Sequence, residues 1–280
     1  MILRVCLLAV IMLTGCAATA PVSAEGPPGY YPSDTILILG AVPQEIPPFV
    51  EAMPDAEKLS LWGVPYWQGH IEGKPVVVAI TGIGKTYTGT TSTLFITHFQ
   101  PKLVLMSGTG ARVNTALRTG DVIVAAVTHE HDYGSLTREG MVYRPMNSPS
   151  DGSEVENAFS PPSDLLTIAD QAMESYEAPE VTANGSTYQV NVRKGVVVSS
   201  DLFGVTEQRI NTLRTLFNAD IMEMESAPLG HTCEMLGVPY IIVRAGSNVA
   251  QEAPNDDYLR LGPIAAKQAA YFSLHLLKYL

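Results

Sequence analysis

The sequence predicts an α/β domain built on a largely parallel sheet, and three observations predict it. Short apolar runs recur along the chain, each bounded by Gly, Pro or Asp as buried strands are. Longer stretches with apolar residues at helical spacing lie between them. Strand and helix signals alternate, the order that lays helices over the faces of a parallel sheet.

The first strand is T-I-L-I-L-G at Thr35 to Gly40, a β-branched run that ends in glycine. Further strands are expected at Pro75 to Ile80, Leu103 to Met106, Asp121 to Val127, Gly195 to Val198 and Tyr240 to Val243. Helices are expected at Tyr87 to Phe99, Pro162 to Ser175, Thr206 to Phe217, Ala227 to Leu236 and Ile264 to Tyr279. Met146 to Pro162 is dense in Pro, Ser, Asn and Asp and reads as a long surface loop. No internal repeat and no boundary interrupts 35–280, which is read as one domain. Ligands of such sheets gather beyond the carboxyl ends of the strands, so residues directly after the apolar runs are the candidates for function.

The first 34 residues read differently. Met1 to Arg4 brings one positive charge, Val5 to Leu13 is apolar, and small residues follow, as in a secretory leader too short to span a bilayer. L-T-G-C at Leu13 to Cys16 resembles the bacterial lipobox, which implies a lipoprotein signal peptide at 1–15 and acylation of Cys16. Cleavage after V-S-A at Val22 to Ala24 is the rival, and both readings make an exported, periplasmic protein. Residues 16–34, rich in Pro, Gly and Ala, form a tether. Only Cys233 then remains in the mature domain, so no internal disulfide forms, and its apolar helical setting reads as a buried structural thiol. The net charge of −11 argues against a nucleic-acid surface, because phosphate backbones are held by clustered Lys and Arg. A small molecule is the default partner.

Four motifs follow the strands. In G-A-V-P-Q-E at Gly40 to Glu45, the carboxylate is either a general base or a solvated helix-start acid. T-G-I-G-K-T at Thr81 to Thr86 has Ala79 where a phosphate loop needs its first glycine, so triphosphate binding is rejected in favour of a glycine turn whose amides line a pocket. S-G-T-G-A-R at Ser107 to Arg112 lacks the third glycine of the dinucleotide fingerprint and reads as a backbone-lined slot or a plain turn. In M-E-M-E-S-A, Glu223 and Glu225 share one face of an extended segment with Met224 on the other, and in V-R-A-G-S-N-V Arg244 closes a strand with Asn248 beyond it. His129 and His131 in H-E-H-D alternate along a segment, but no further Cys or His cluster completes a metal site.

Taken in order, these motifs, with G-D-V-I-V and S-S-D-L-F, resemble the nucleoside phosphorylase superfamily, most closely its 5′-methylthioadenosine/S-adenosylhomocysteine nucleosidases, from about Ile36 to Leu276. The resemblance implies a single three-layer α/β/α domain around a mixed, partly barrel-like sheet, usually dimeric. It implies N-glycosidic cleavage through an oxocarbenium-like ribose, which needs a base for water, an anchor for the sugar hydroxyls and help for the departing purine, and no cofactor. Glu45 is aligned with the carboxylate that activates water and Glu225 with the one that holds the ribose hydroxyls. Met224 would pack on the sugar, Phe203 would stack on the base, and Arg244 would stand near the glutamate or form an ion pair only. Thr109, Ile83 and Ser247 join the substrate-binding set, with Tyr258 near the aromatic wall for the 5′ substituent. Glu223 would support the site or start the helix, and the His-Asp pair in H-E-H-D would support it too.

Two departures bear on function. Met106 stands where the hexameric phosphorylases hold phosphate with arginine, which favours water as nucleophile, although Arg112 is nearby. Asn248 stands where the nucleosidases carry the aspartate that protonates N7, and an amide has no acidic proton. Either the preference shifts to 6-oxopurines or adenine release is slow; Asp256 and Asp257 are the substitutes on offer. The expected function is therefore an exported purine nucleoside hydrolase acting on ribosides such as methylthioadenosine, S-adenosylhomocysteine or inosine. The alternatives are a phosphate-dependent phosphorylase and a non-catalytic nucleoside-binding lipoprotein.

Overall fold

The structure is a computed structural model and describes residues 33–280. The leader, Cys16 and nearly all of the tether lie outside the described residues.

The chain runs β1 (Ser33–Gly40), α1 (Pro47–Glu51), β2 (Glu57–Leu61), β3 (Val64–Ile71), β4 (Lys74–Ile80), α2 (Lys85–Phe99), β5 (Pro101–Arg112) and β6 (Val122–Glu130). Two small ribbons follow, β7 (Gly134–Thr137) with β8 (Gly140–Tyr143) and β9 (Met146–Asn147) with β10 (Glu154–Val155). Then come α3 (Ser163–Glu174), a ribbon of β11 (Glu180–Ala183) and β12 (Ser186–Gln189), β13 (Val192–Ser199), α4 (Glu207–Phe217), β14 (Ile221–Glu223), α5 (Ser226–Leu236), β15 (Tyr240–Val249) and α6 (Asn255–Leu276).

One nine-stranded sheet carries the fold, in the order β14-β13-β6-β15-β5-β1-β4-β3-β2. It is mixed. β1 runs parallel to β4 and β5, β15 parallel to β5, and β13 parallel to β6, whereas β15 meets β6 antiparallel and β2-β3-β4 form a meander. Short β14 also pairs antiparallel with the end of β5, Ile221 against Arg112, and so closes β5, β15, β6, β13 and β14 into a five-stranded barrel.

The central strands read as unbroken apolar runs because both of their faces are covered. In β1, Ile36 and Ile38 face a core shared with Phe49, Leu165, Ala169 and Phe272 from α1, α3 and α6. Leu37 and Leu39 face the opposite core with Phe95, Ile96, Leu229 and Cys233 from α2 and α5. These are the three layers, and the Cys233 thiol is buried and free as expected.

Several boundaries move. The strand expected at Leu103 to Met106 runs to Arg112, so S-G-T-G-A-R is strand rather than turn. The reason lies at Gly110, where a Cβ would collide with Ile221 and sit 2.8 Å from the Met222 carbonyl. That glycine lets β14 cross β5 and shut the barrel. The last strand likewise continues past Val243 to Val249, which puts Arg244 in mid-strand and not at its close. β2 and β3 were not foreseen, since their half-exposed faces mix polar and apolar residues. α6 begins at Asn255 rather than Ile264 and carries Pro263 within it. The surface loop from Met146 to Pro162 buries Met146 and Phe159, and Phe159 exchanges backbone hydrogen bonds with Thr128.

Candidate active site

A cleft of about 300 Å³ opens at the carboxyl ends of the parallel strands. Glu45, Ile83, Thr109, Phe203, Met224, Glu225, Ser247, Asn248 and Tyr258 all line it. Arg244 does not; it is fully buried below the carboxylates. Glu45 and Glu225, far apart in sequence, therefore share one cavity.

Arg244 organises the floor. Its Nη2 lies 2.5 Å from Glu223 Oε2 and 3.5 Å from Glu225 Oε2, and its Nε donates to Ser226 Oγ at 3.0 Å. Glu223 is the structural acid of the pair. At the turn from β14 into α5 it accepts from the Glu225 and Ser226 amides, which the helix itself leaves unbonded, and from the Ser199 and Ser226 hydroxyls. The chain turns at once after Glu223, so the two glutamates meet around the guanidinium and not along one extended face. Glu225 is held from the other side by the Gly84 amide at 2.9 Å, and the amide of Lys85 is taken by Asp201 at 2.8 Å. The glycine turn of T-G-I-G-K-T thus gives its amides to carboxylates that border the site.

Glu45 sits at the end of a 3₁₀ turn, buried, where Oε2 accepts from the Ala41 amide at 2.7 Å and Oε1 from the Thr109 amide at 2.9 Å and hydroxyl at 3.1 Å. Gly108 makes this possible: a Cβ there would stand 2.7 Å from Glu45 Oε1 and collide with Arg244 Nη1. That Nη1 is buried and has no hydrogen-bond partner among the described residues. Two glycines one residue apart therefore serve separate ends, Gly108 the charge cluster and Gly110 the barrel seam.

The electrostatics follow from the count of charges. One guanidinium faces Glu45, Glu223 and Glu225 and cannot neutralise them all. Burial works against the charge on Arg244, but the three carboxylates still push its pKa above the ordinary value. Burial raises the pKa of Glu45 against the pull of Arg244 and of the Ala41, Thr109 and Val42 amides. Burial, then the nearby Glu223, raises that of Glu225 against the pull of Arg244 and Gly84. A pocket with surplus negative charge in a low dielectric is complementary to a cation.

At the base of the opposite wall, Asn248 is buried in β15. Its Nδ2 donates to the Val249 carbonyl at 2.9 Å, and Ser247 Oγ stands 3.0 Å from both Asn248 Oδ1 and the Gly110 carbonyl. A carbonyl only accepts, so it fixes the amide with nitrogen on that side and leaves one N–H for a ligand.

The rim is apolar and open. Ile83 and Phe203 are each about half exposed, and Phe203 meets Tyr258 edge to face at 5.7 Å. Gln44, not foreseen from the sequence, also lines the cleft and donates to the Tyr258 hydroxyl at 2.9 Å.

Other residues fall away. Arg112 turns its Nη1 onto the Leu117 carbonyl at 2.7 Å, its side chain lying over Gly246, so it faces away from the cleft. Asp257 is tied to Arg260 and Gln251, and neither it nor Asp256 borders the cleft. His131 is buried against Arg209, its pKa lowered to about 4 by burial and by that guanidinium, while Asp132 pairs with Lys85 at 2.7 Å. Among the described residues no group of His, Cys, Asp and Glu has the arrangement to hold a metal ion.

Comparison with known proteins agrees with this geometry. Residues 35–278 match the family model of the phosphorylase superfamily. The chain is 30% identical over 245 residues to the 5′-methylthioadenosine/S-adenosylhomocysteine nucleosidase of Staphylococcus carnosus, covering 87% of this chain and 99% of that protein. The same nucleosidase from Neisseria meningitidis, solved with methylthio-immucillin-A, superposes with a TM-score of 0.75 at 25% identity over 89% of this chain and 100% of that one. Futalosine hydrolase of Helicobacter pylori gives a TM-score of 0.75 at 26% identity over 88% and 98%.

Proposed function

The chain belongs to the phosphorylase superfamily and is an N-glycosyl hydrolase of it, and from that premise we propose that it cleaves purine ribosides with water. The observation that carries the reading is the pair of buried carboxylates, Glu45 and Glu225, in one cleft over a single guanidinium. Glu225 takes the ribose diol as an anionic acceptor. Glu45 removes a proton from a water held between its carboxylate and the otherwise unpartnered Nη1 of Arg244. As the glycosidic bond breaks, positive charge grows on the sugar, and the excess of carboxylates stabilises it more than it stabilises the neutral substrate. Met224 packs on the sugar, Phe203 stacks on the purine, and Asn248 offers its remaining N–H to the departing base.

Water is favoured over phosphate because no guanidinium is free to hold that anion: Met106 lies buried under Arg244, and Arg112 is spent on Leu117. The reading includes export and a lipid anchor at Cys16. An anchor there would hold the domain by the Ser33 end of β1, opposite the Gly40 end that reaches the cleft. It also includes a homodimer, motivated by the apolar side chains exposed at the mouth.

The test is to incubate the protein with adenosine, inosine and methylthioadenosine, with and without phosphate, and to separate the products by chromatography. Free base without phosphate is expected. Base release only with phosphate would move the assignment to phosphorolysis. One observation favours a second reading, binding without turnover: the buried group at the base position is an amide, not an acid. Calorimetric binding with no base after a day would select it.

A further inference from the structure

With Glu45, Glu225 and Asn248 assigned to water, the ribose diol and the base, one polar pair in the cleft has no task. Gln44 Nε2 donates to the Tyr258 hydroxyl at 2.9 Å, and both side chains line the cavity. The other polar groups there are taken. Glu223 is consumed by Arg244, Ser199 and Ser226, Thr109 gives its amide and hydroxyl to Glu45, and Ser247 is shared between Gly110 and Asn248.

The pair is placed, not loose. Gln44 precedes Glu45 in the 3₁₀ turn, so it stands beside the proposed base. Tyr258 lies in the first turn of α6 with its ring 3.1 Å from where a Cβ on Gly262 would be, and its other contact is the edge-to-face ring of Phe203. The phenol is also within hydrogen-bonding reach of Thr109. Around the pair the wall is apolar, formed by Val42, Pro43 and Pro254.

A purine riboside presents three polar regions: the base, the diol and the 5′ carbon. Only the last is unassigned. We propose that Gln44 and Tyr258 form the subsite for the 5′ end and select a free 5′-hydroxyl over a thioether. The inference rests on the nucleoside hydrolase reading and narrows its substrate class. A phenol that accepts from Gln44 keeps its own proton to donate, and a hydroxyl can both take that proton and give one back. A thioether sulfur is a weak acceptor and donates nothing, so it would leave the phenol and the carboxamide desolvated and unpaired. The subsite is partly open to water, so the discrimination is about tenfold rather than the larger factor of a sealed site.

The experiment measures kcat/KM of the full chain for adenosine and for 5′-deoxy-5′-methylthioadenosine, in the wild type, Tyr258→Phe and Gln44→Leu. The wild type is expected to prefer adenosine by about tenfold. Tyr258→Phe should remove most of that preference by lowering the adenosine value and leaving the thioether value unchanged, with Gln44→Leu acting in the same direction. A purely structural role would lower both substrates alike. A wild-type preference for the thioether, or equal losses on both substrates, overturns the proposal while the hydrolase reading stands. If the wild type cleaves neither compound, the hydrolase reading fails, and calorimetric binding of the same two nucleosides decides the subsite; equal or tighter binding of the thioether then overturns it.

Discussion

The floor and the rim of the cleft are held in different ways. On the floor, Arg244, Glu223 and Glu225 are buried, each tied by several hydrogen bonds from separate elements, and two glycines of β5 exist to let them approach. At the rim, Ile83, Leu202 and Phe203 are about half exposed and contribute surface with few directed bonds. A charge cluster needs fixed geometry, because a buried ion without its partner is costly. A wall for a base and a 5′ group needs only shape. Change on the floor should therefore cost the fold and the chemistry together, whereas change at the rim should alter only which substrate is used.

The largest effect is expected for Arg244→Met. It leaves the carboxylates without a counter-ion, and a loss of about 3–5 kcal/mol of stability should appear in denaturant unfolding together with loss of activity. A variant with unchanged stability would mean that the floor is not the keystone we take it to be. Glu45→Gln is nearly isosteric, so the melting temperature should stay close to wild type while kcat falls by about 10²–10⁴-fold with binding retained. A comparable loss of folding would blur the distinction between the structural Glu223 and the chemical Glu45.

Asn248→Asp comes next. It introduces a group able to carry a proton to the base, and turnover of adenine nucleosides should rise by about 10²-fold, the low end for a positioned acid. No gain would show that the amide already serves the leaving base adequately. At the rim, Phe203→Ala should raise KM by about tenfold through lost stacking, with kcat and melting temperature little changed. A large fall in kcat would move Phe203 from rim to chemistry.

The smallest effect is a pair of opposed slopes with pH. Burial raises the pKa of Glu45 and of Glu225 in the folded protein above the ordinary 4.5. The folded state thus keeps protons that the unfolded chain has already released, so the stability from these groups is complete below 4.5 and is lost as pH rises through their folded values. Glu45 must be ionised to act as base, so activity should climb over the same interval. Melting temperature falling while kcat/KM rises is the expected record, and Glu225→Gln should flatten the first curve. Slopes of the same sign would contradict the assignment of Glu45 as base.

Glu45, Glu225 and Asn248 were legible because each directly follows an apolar strand, where α/β sheets gather their ligands. Gln44 was not, since nothing local marks a glutamine as facing a cleft; Tyr258 across the cavity gives it its role. β2 and β3 escaped because an edge meander alternates weakly, and the start of α6 escaped because Asn255 to Tyr258 is polar and Pro263 interrupts the pattern.

The sequence by itself determined the α/β class, the core strands and the acids of the cleft, because burial on both faces and chain reversal at strand ends are local signals. The meeting of those acids was decided by tertiary structure alone. Gly110 admits β14 across β5, the barrel closes, and Glu223 and Glu225 are carried to an arginine in mid-strand of β15 beside Glu45. Contacts between segments so distant along the chain depend on register and closure, and no stretch of residues read in isolation contains either.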